Sequence, residues 1–133
     1  RLMLKEGHLS KLEREMIAVV VSSCNKCFYC LIAHGAAVRQ LSKNQYLGDE
    51  LMINYRSASL NKRHKLMLDF SFKLTENPSK VDNSDRNILR EADFSEEEIL
   101  EIVEVASFFN MSNRIAAGTD MRPNAEYHNM GRE

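Results

Sequence analysis

The chain is 133 residues long, 44% hydrophobic and 28% charged, and its net charge at pH 7 is −1. This length and apolar content suit a single domain, which we place over residues 1–133. Charges of both signs are interspersed, so no basic stripe indicates a nucleic-acid partner, and no uncharged apolar run approaches the roughly 18 residues that a membrane helix needs. Nothing resembles a signal peptide, and we expect a cytoplasmic protein with no membrane partner.

The start of the chain has the pattern of a helix tail rather than of a protein beginning. No initiator methionine is present, and residues 1–7 end on Gly7, which is typical of a helix C-terminus. We therefore expect further residues to precede this chain.

The sequence predicts an all-α fold of about six helices, because helix caps recur along almost its whole length. Ser10 and Glu13 have the spacing of a capping box, and they open a first helix that runs to about Ser22. After a short turn, the second helix covers about Cys27 to Leu41. The third helix is predicted at about 48–55, the fourth at 62–74 after an Asn61 cap, and the fifth at 84–92 with Ser84 as its cap. The sixth helix begins at the capping box of Ser95 and Glu98 and runs to about residue 117, where Gly118 stops it.

Three of these helices carry apolar residues on nearly every face. They are the first helix around Ile17–Val21, the second around Leu31–Val38, and the last with Ile99, Val103, Val105, Phe108 and Phe109. A helix that is hydrophobic all round must be buried on all sides, and six short helices do not easily enclose three such segments. We therefore expect a homo-oligomer in which neighbouring subunits supply the missing cover.

The segment Cys27-Phe28-Tyr29-Cys30 is followed by His34 and indicates a thiol redox site. On a helix, the two cysteines stand at i and i+3, and His34 stands at i+4 from Cys30, so all three share one face. A helix N-terminus and an adjacent imidazole both favour the thiolate, which is the reactive form of cysteine. Peroxide reduction and disulfide exchange are the chemistries that this pattern permits.

Glu15 has two interpretations. It lies early in a helix, where a glutamate usually faces solvent as part of the cap region. The surrounding segment is apolar almost all round, however, and a buried carboxylate needs a partner. In the second interpretation, Glu15 meets His34 across a tight helical hairpin and orients it, as a third group orients the base of an activated nucleophile.

Cys24 extends the motif to Cys24-x-x-Cys27-x-x-Cys30 and, with His34, offers four soft ligands. The spacing of the three cysteines matches part of an iron–sulfur run, so metal binding is the alternative to redox chemistry. On a straight helix the thiols spread along the axis instead of surrounding one ion, and no Gly or Pro supplies a cluster loop. The simpler interpretation makes Cys24 a small buried apolar residue and leaves the chain without a metal site.

Taken together, these residues resemble the alkylhydroperoxidase-D-like family of the carboxymuconolactone decarboxylase superfamily, specifically its peroxidase-related members. The specific part is the spacing of Glu15, Cys27, Cys30 and His34. Supporting stretches occur over most of the chain: Leu9–Ser10, Glu13–Ile17, Ala33–Ala36, Phe72–Thr75, Phe94–Ser95, Phe109–Asn110, Asn113–Arg114, Arg122–Asn124 and Gly131–Arg132.

The resemblance implies a helical bundle, a trimer or hexamer, and a thiol peroxidase of antioxidant defence. It makes Cys30 the peroxidatic cysteine and Cys27 the resolving one, with His34 and Glu15 as the proton relay. The substrate would be a hydroperoxide and the reductant a thiol or dithiol. Known relatives carry a histidine just before the second cysteine, where this chain has Tyr29. The cysteine pair disfavours a lactone decarboxylase.

No cofactor is expected, and the lack of a glycine-rich phosphate loop argues against a nucleotide in particular. One non-enzymatic alternative remains open beside metal binding. A redox-sensing or thiol-adaptor oligomer would form the same disulfide without fast peroxide turnover.

Overall fold

The computed structural model describes residues 7–132, and the helix tail expected at the start of the chain lies outside this range. Its six α-helices are α1 (Lys11–Asn25), α2 (Phe28–Ser42), α3 (Leu47–Asn54), α4 (Lys62–Glu76), α5 (Asn83–Glu91) and α6 (Glu96–Gly118). Short 3₁₀ turns lie after α3 at Tyr55–Ser57, after α4 at Pro78–Lys80, and after α6 at Ala125–His128. No strand occurs in the described part of the chain, so the predicted all-α fold is confirmed.

Three of the predicted helix starts are confirmed by their caps. The Ser10 and Ser95 side chains each accept a hydrogen bond from the backbone of the glutamate three residues on, and both capping boxes are complete. Asn61 likewise accepts from the His64 backbone and caps α4. These caps satisfy backbone donors that a helix start leaves unpaired, which is why such short patterns locate the helices.

The predicted Ser84 cap is wrong, because Asp82 caps α5 instead. With Asp82 at the N-cap, the third helical residue is Asp85, whose carboxylate accepts a hydrogen bond from the Asp82 backbone and completes a capping box. With Ser84 as cap, that position would hold Asn87, which has no carboxylate to return.

The predicted stop of α6 at Gly118 is also displaced. Gly118 is the last helical residue, and Asp120 takes the left-handed conformation, with φ 54°, that turns the chain away. Backbone bonds from Asp120 to Ala117 and from Met121 to Ala116 satisfy the final carbonyls. Aspartate tolerates this conformation better than most residues, so it can close a helix where glycine is expected.

The central helix is α1, which packs against α2, α3, α4 and α6. Residues Ile17–Val21 are each at most 1% exposed, although only one chain surrounds them. Of the three apolar segments that six short helices were not expected to enclose together, this one is enclosed within a single chain. Four neighbouring helices can enclose a fifth on every side, because each contributes one apolar face to it.

A buried arginine on α2 holds the C-terminal segment against the bundle. Arg39 is 2% exposed, its Nε donates to the Met130 carbonyl at 2.7 Å, and its Nη2 donates to the Tyr127 carbonyl at 3.0 Å. Gly131 has a φ of +77°, and a Cβ there would lie 2.6 Å from the Cβ of Arg39, so only glycine fits. The arginine thus satisfies backbone carbonyls that would otherwise be left without donors.

The segment held in this way reaches the start of α2 at Phe28. The Arg122 guanidinium carbon lies 5.1 Å from the Phe28 ring centroid, and the His128 ring lies 6.2 Å from it. The end of the chain therefore forms one side of the surface around the cysteine motif.

None of the helices found between residues 7 and 132 combines the length and the apolar character that a membrane crossing requires.

Candidate active site

A tight connection between α1 and α2 brings the two cysteines to the start of α2. Lys26 has a φ of 53°, in the left-handed region, and ends α1. The Cys27 backbone N–H donates to the Ser22 carbonyl at 3.0 Å, and Cys27 then takes an extended conformation as the N-cap of α2. Cys30 consequently lies in the first turn of α2, one turn along from Cys27.

The two thiols are in direct contact and almost fully buried. The Cys27 Sγ donates to the Cys30 Sγ at 2.8 Å, and the two residues are 3% and 1% exposed. Ala116 of α6 and the Tyr29 side chain pack against them. Because a disulfide bond is about 2.05 Å long, its formation requires the sulfur atoms to approach by only about 0.8 Å.

The pKa of the Cys30 thiol is raised to about 11, with burial as the largest cause and the hydrogen bond with Cys27 acting in the same direction. The sequence predicted the opposite direction, from the helix N-terminus and the histidine. The low-dielectric surroundings disfavour the charged thiolate more strongly than those two features favour it. Cys30 therefore stays protonated at neutral pH.

Two side chains of α6 act against this effect. The polar side chains of Asn113 and Ser112 lower the pKa of Cys30 relative to burial alone. Asn113 is 2% exposed, and its orientation is determined by two further contacts. Its Oδ1 accepts from the Asn25 Nδ2 at 2.9 Å, and its Nδ2 donates to the Ser22 Oγ at 2.9 Å. The amide donor group of Asn113 is thereby directed towards Ser22 and Cys30.

Sequence reasoning assigned no role to Asn113, Ser112 or Asn25. Asn113 appeared only within a stretch that supports the family resemblance. Buried asparagines on an otherwise apolar helix face were the available signal, because such amides need partners. The partner itself could not be read from the sequence, since Asn113 and Ser22 are 91 positions apart.

Glu15 and His34 meet across the α1–α2 hairpin, as the second interpretation of Glu15 predicted. The His34 Nδ1 and the Glu15 Oε1 are 2.6 Å apart, and the side chains are 23% and 15% exposed. The edge of the His34 ring packs on Phe109, with 4.7 Å between ring centroids. The contact leaves Nε2 as the ring nitrogen that can exchange a proton.

No hydrogen bond joins His34 to either sulfur in the part of the chain that the structure describes. His34 and Cys30 are nevertheless neighbours at i and i+4 on α2, a spacing of about 5–6 Å between Cβ atoms. One water molecule can bridge such a gap and carry a proton across it. The predicted placement of base and thiol on one helix face is therefore found, without a direct hydrogen bond between them.

Cys24 lies apart from the pair. It is partly exposed and borders a separate cavity of about 280 Å³ with Tyr55, Arg56 and Glu76. Burial and the Glu76 carboxylate raise the pKa of its thiol above the ordinary value. Over residues 7–132, no three His, Cys, Asp or Glu side chains are placed to hold one metal ion, so the four-ligand alternative lacks its donor set.

A second cavity, of about 160 Å³, opens next to the dithiol. Cys27 forms part of its wall, whereas Cys30 does not border it. Lys26, Asp120 and Arg122 lie at its edge, and the Arg122 side chain is 68% exposed. This cavity therefore reaches the pair at Cys27.

The sequence profile of the carboxymuconolactone decarboxylase family matches residues 1–45. A comparison with curated proteins gives no match. Among solved structures, an uncharacterised peroxidase-related protein from Silicibacter sp. TM1040 is 57% identical, with a TM-score of 0.97, and the match covers 98% of this chain and 69% of that one. The chain belongs to the alkylhydroperoxidase-D-like family of the carboxymuconolactone decarboxylase superfamily.

Further similarities agree with this assignment. An alkylhydroperoxidase AhpD core, an uncharacterised peroxidase-related protein from Ralstonia eutropha JMP134, is 42% identical to this alkylhydroperoxidase-D-like chain, with a TM-score of 0.96 over 99% of this chain and 70% of that one. A protein of unknown function from Agrobacterium tumefaciens is 24% identical, with a TM-score of 0.76 over 90% of this chain and 82% of that one. The last similarity concerns the fold alone.

Proposed function

We propose that this alkylhydroperoxidase-D-like protein is a two-cysteine thiol peroxidase that reduces hydrogen peroxide or organic hydroperoxides through a Cys27–Cys30 disulfide, in antioxidant defence. The observation that carries the proposal is the 2.8 Å contact of two buried thiols at the start of α2. A sulfenic acid formed on either sulfur meets the other thiol at once, before further oxidation. The peroxidase-related description of two close relatives supports the same reaction class.

In the oxidative half-reaction, Glu15 holds the His34 ring through Nδ1, and Nε2 accepts the Cys30 proton through a bridging water. The Cys30 thiolate attacks the peroxide O–O bond and takes one oxygen as a sulfenic acid. The other oxygen leaves as an alkoxide or hydroxide and is protonated by the imidazolium of His34, which returns to its neutral state.

In the second step, the Cys27 thiol attacks the sulfenic sulfur of Cys30. A disulfide forms and water leaves, so one peroxide has accepted two electrons from the two cysteines. An external thiol or dithiol then reduces the disulfide and closes the cycle. Neither step requires a cofactor.

One observation favours a slower second candidate, a redox sensor or thiol adaptor that forms the same disulfide. Burial raises the pKa of Cys30 to about 11, so the thiolate fraction at neutral pH is small without help from a base. The two candidates differ in rate. An enzyme oxidises far faster than a free thiol under single-turnover conditions, whereas a sensor reacts at about the free-thiol rate.

Thiol titration before and after one equivalent of hydroperoxide tests the proposal. We expect the three free thiols of the reduced protein to fall to one, because Cys27 and Cys30 pair and Cys24 remains. Stopped-flow mixing with the same peroxide gives the rate that separates an enzyme from a sensor. In a Cys24→Ser control, the count should fall from two to zero at an unchanged rate. A wild-type thiol count that stays at three, or a disulfide that includes Cys24, contradicts the proposal.

We also propose that the protein forms a trimer or hexamer. The support comes from α6, where Phe108, Met111 and Ile115 are 39%, 54% and 52% exposed on one face of the helix. Leu100 lies on the same face two turns earlier and is 57% exposed, with the exposed Glu104 between it and Phe108. Phe108 also packs on Phe109, which contacts His34, so cover over this apolar strip on α6 would reach the site.

Light scattering at low micromolar concentration tests the assembly. We expect a mass of three or six chains for the wild type and a shift towards one chain for Met111→Glu, because a charge in a buried apolar contact is costly. Ile88→Glu is the matched control, since Ile88 is 47% exposed on α5, away from the strip. A monodisperse, fully active wild-type monomer overturns the proposal.

A further inference from the structure

The two sulfur atoms differ in what surrounds them. Cys27 borders the cavity of about 160 Å³, and Cys30 lies behind it, against α6. Nucleophilic attack on a disulfide requires access along the S–S axis and a leaving sulfur that can hold negative charge. A cavity large enough for a thiol reductant opens at Cys27, and the polar side chains that favour the anion act on Cys30.

The donor at Cys30 is the Asn113 amide. Its Oδ1 accepts from the Asn25 amide and its Nδ2 donates to Ser22, which fixes the amide beside the Cys30 thiol whose pKa it lowers. A neutral amide held in this way stabilises a sulfur anion without titrating itself, and the buried surroundings strengthen the interaction. The contact favours Cys30, and not Cys27, as the sulfur that leaves.

We propose that the Cys27–Cys30 disulfide is reduced with a fixed polarity: a small anionic thiol enters the cavity beside Lys26 and Arg122, attacks Cys27, and expels Cys30 as a thiolate held by Asn113. The inference rests on the proposed function, because it concerns the reductive half of that cycle.

The step balances as a thiol–disulfide exchange. The incoming thiolate forms a new S–S bond with the Cys27 sulfur, the Cys27–Cys30 bond breaks, and its electron pair stays on the Cys30 sulfur. A second thiolate then attacks the external sulfur of the mixed disulfide. The reductant leaves as its own disulfide, Cys27 leaves as a thiolate, and two reductant thiols have supplied two electrons.

The shape and charge of the cavity indicate the class of reductant. A volume of about 160 Å³ corresponds to about five water molecules, enough for a short aliphatic thiol arm and too small for a folded domain. Lys26 and Arg122 carry two positive charges at the edge against one negative charge on Asp120. A thiol with an anionic group a few atoms from its sulfur is therefore favoured over a cationic one.

Peptide mapping tests the polarity directly. The wild-type disulfide is formed with diamide, exposed briefly to 2-mercaptoethanesulfonate, quenched with N-ethylmaleimide and fragmented by mass spectrometry. We expect the mercaptan on Cys27 and maleimide on Cys30. The reverse placement, an equal split, or failure of diamide to form the disulfide overturns the inference.

Variants test the role of Asn113. Asn113→Leu removes the donor and should slow disulfide reduction about tenfold, because hydrogen bonds to charged groups are the stronger ones. The pKa of Cys30 should rise, and the mercaptan should appear on both cysteines. Asn110→Leu is the control, since Asn110 also bonds to Asn25 while its own amide donates to Thr75 and to the Ala106 carbonyl. If Asn113→Leu fails to fold, Ser112→Ala is compared with the wild type in its place. The polarity itself is tested by the wild-type peptide map, which needs no variant.

The charge preference has its own measurement. When each rate is divided by the concentration of reductant thiolate, 2-mercaptoethanesulfonate should reduce the disulfide about threefold faster than cysteamine at low ionic strength. Added salt should remove the difference. Arg122→Gln should also remove it, whereas Lys65→Gln, at an exposed site on α4, should not. A preference for cysteamine overturns the assigned reductant class.

Failure of the proposed function and failure of this inference are distinguishable. A diamide-formed disulfide that maps with the mercaptan on Cys27, in a protein that does not react with peroxide, refutes only the peroxidase. Fast peroxide turnover with the mercaptan on Cys30 refutes only the polarity.

Discussion

Replacement of Cys30 by serine is expected to abolish peroxide-dependent oxidation. Cys30 lies in the first turn of α2 on the same face as His34, so it is the sulfur whose proton the histidine can take. In Cys27→Ser, by contrast, Cys30 should react once and stop as a sulfenic acid, because no second thiol is in contact. Intact-mass measurement after one equivalent of hydroperoxide, with dimedone present, distinguishes the two outcomes.

The Cys27→Ser variant carries a second expectation. Burial remains the largest cause of the raised Cys30 pKa, but the contribution of the Cys27 thiol is lost, so the pKa should fall from about 11 towards its ordinary value of 9.0. Alkylation of Cys30 should consequently reach its plateau at lower pH than in the wild type. Cys24→Ser is the matched control and should behave as the wild type in both measurements. Full peroxide turnover by Cys30→Ser would reverse the assignment of the two cysteines.

The helices of this protein could be predicted because their determinants are local. The boxes at Ser10 and Ser95 each involve residues three apart, and the turn that joins α1 to α2 spans Lys26 and Cys27. The prediction failed at α5, where Asp82 and Ser84 are both possible caps. The Asp85 carboxylate favours Asp82, because it completes a capping box with that residue. Such competition requires comparing the complete hydrogen-bond sets of both alternatives.

The candidate site was predictable to the extent that one hairpin contains it. Glu15, Cys27, Cys30 and His34 all lie on α1 and α2, so helical spacing and one turn are enough to bring them together. Asn113 comes from α6, and only the packing of α6 across the hairpin places it at Cys30. The side of the site that determines leaving-group stability is therefore the side that local patterns miss.

The electrostatic error has a related origin. A motif identifies the charged and polar neighbours of a thiol but not the depth at which the thiol is buried. Here desolvation is the largest single contribution to the pKa of Cys30 and acts against the helix N-terminus. The same omission explains why sequence alone did not show that Ile17–Val21 is enclosed within one chain, since that packing is a property of the whole bundle.

The raised pKa of Cys30 makes the base essential to the proposed peroxidase, and it makes Glu15 the most informative position after the cysteines. Glu15 contacts His34 at 2.6 Å and stabilises the imidazolium that forms when the ring takes a proton. A carboxylate in this position lowers the cost of separating charge between Cys30 and His34. Without it, proton transfer from a thiol with a pKa of about 11 becomes unfavourable.

We therefore expect Glu15→Gln to slow single-turnover oxidation of Cys30 at pH 7 by roughly 100-fold, the scale of general base catalysis, while the circular dichroism spectrum stays unchanged. The difference from wild type should shrink as the pH rises towards about 11, because there the Cys30 thiolate forms without a base. Glu97→Gln, at an exposed position on α6, is the matched control and should keep the wild-type rate at every pH. An unchanged pH–rate profile in Glu15→Gln would leave Glu15 as a structural partner of His34 and remove both residues from the proposed relay.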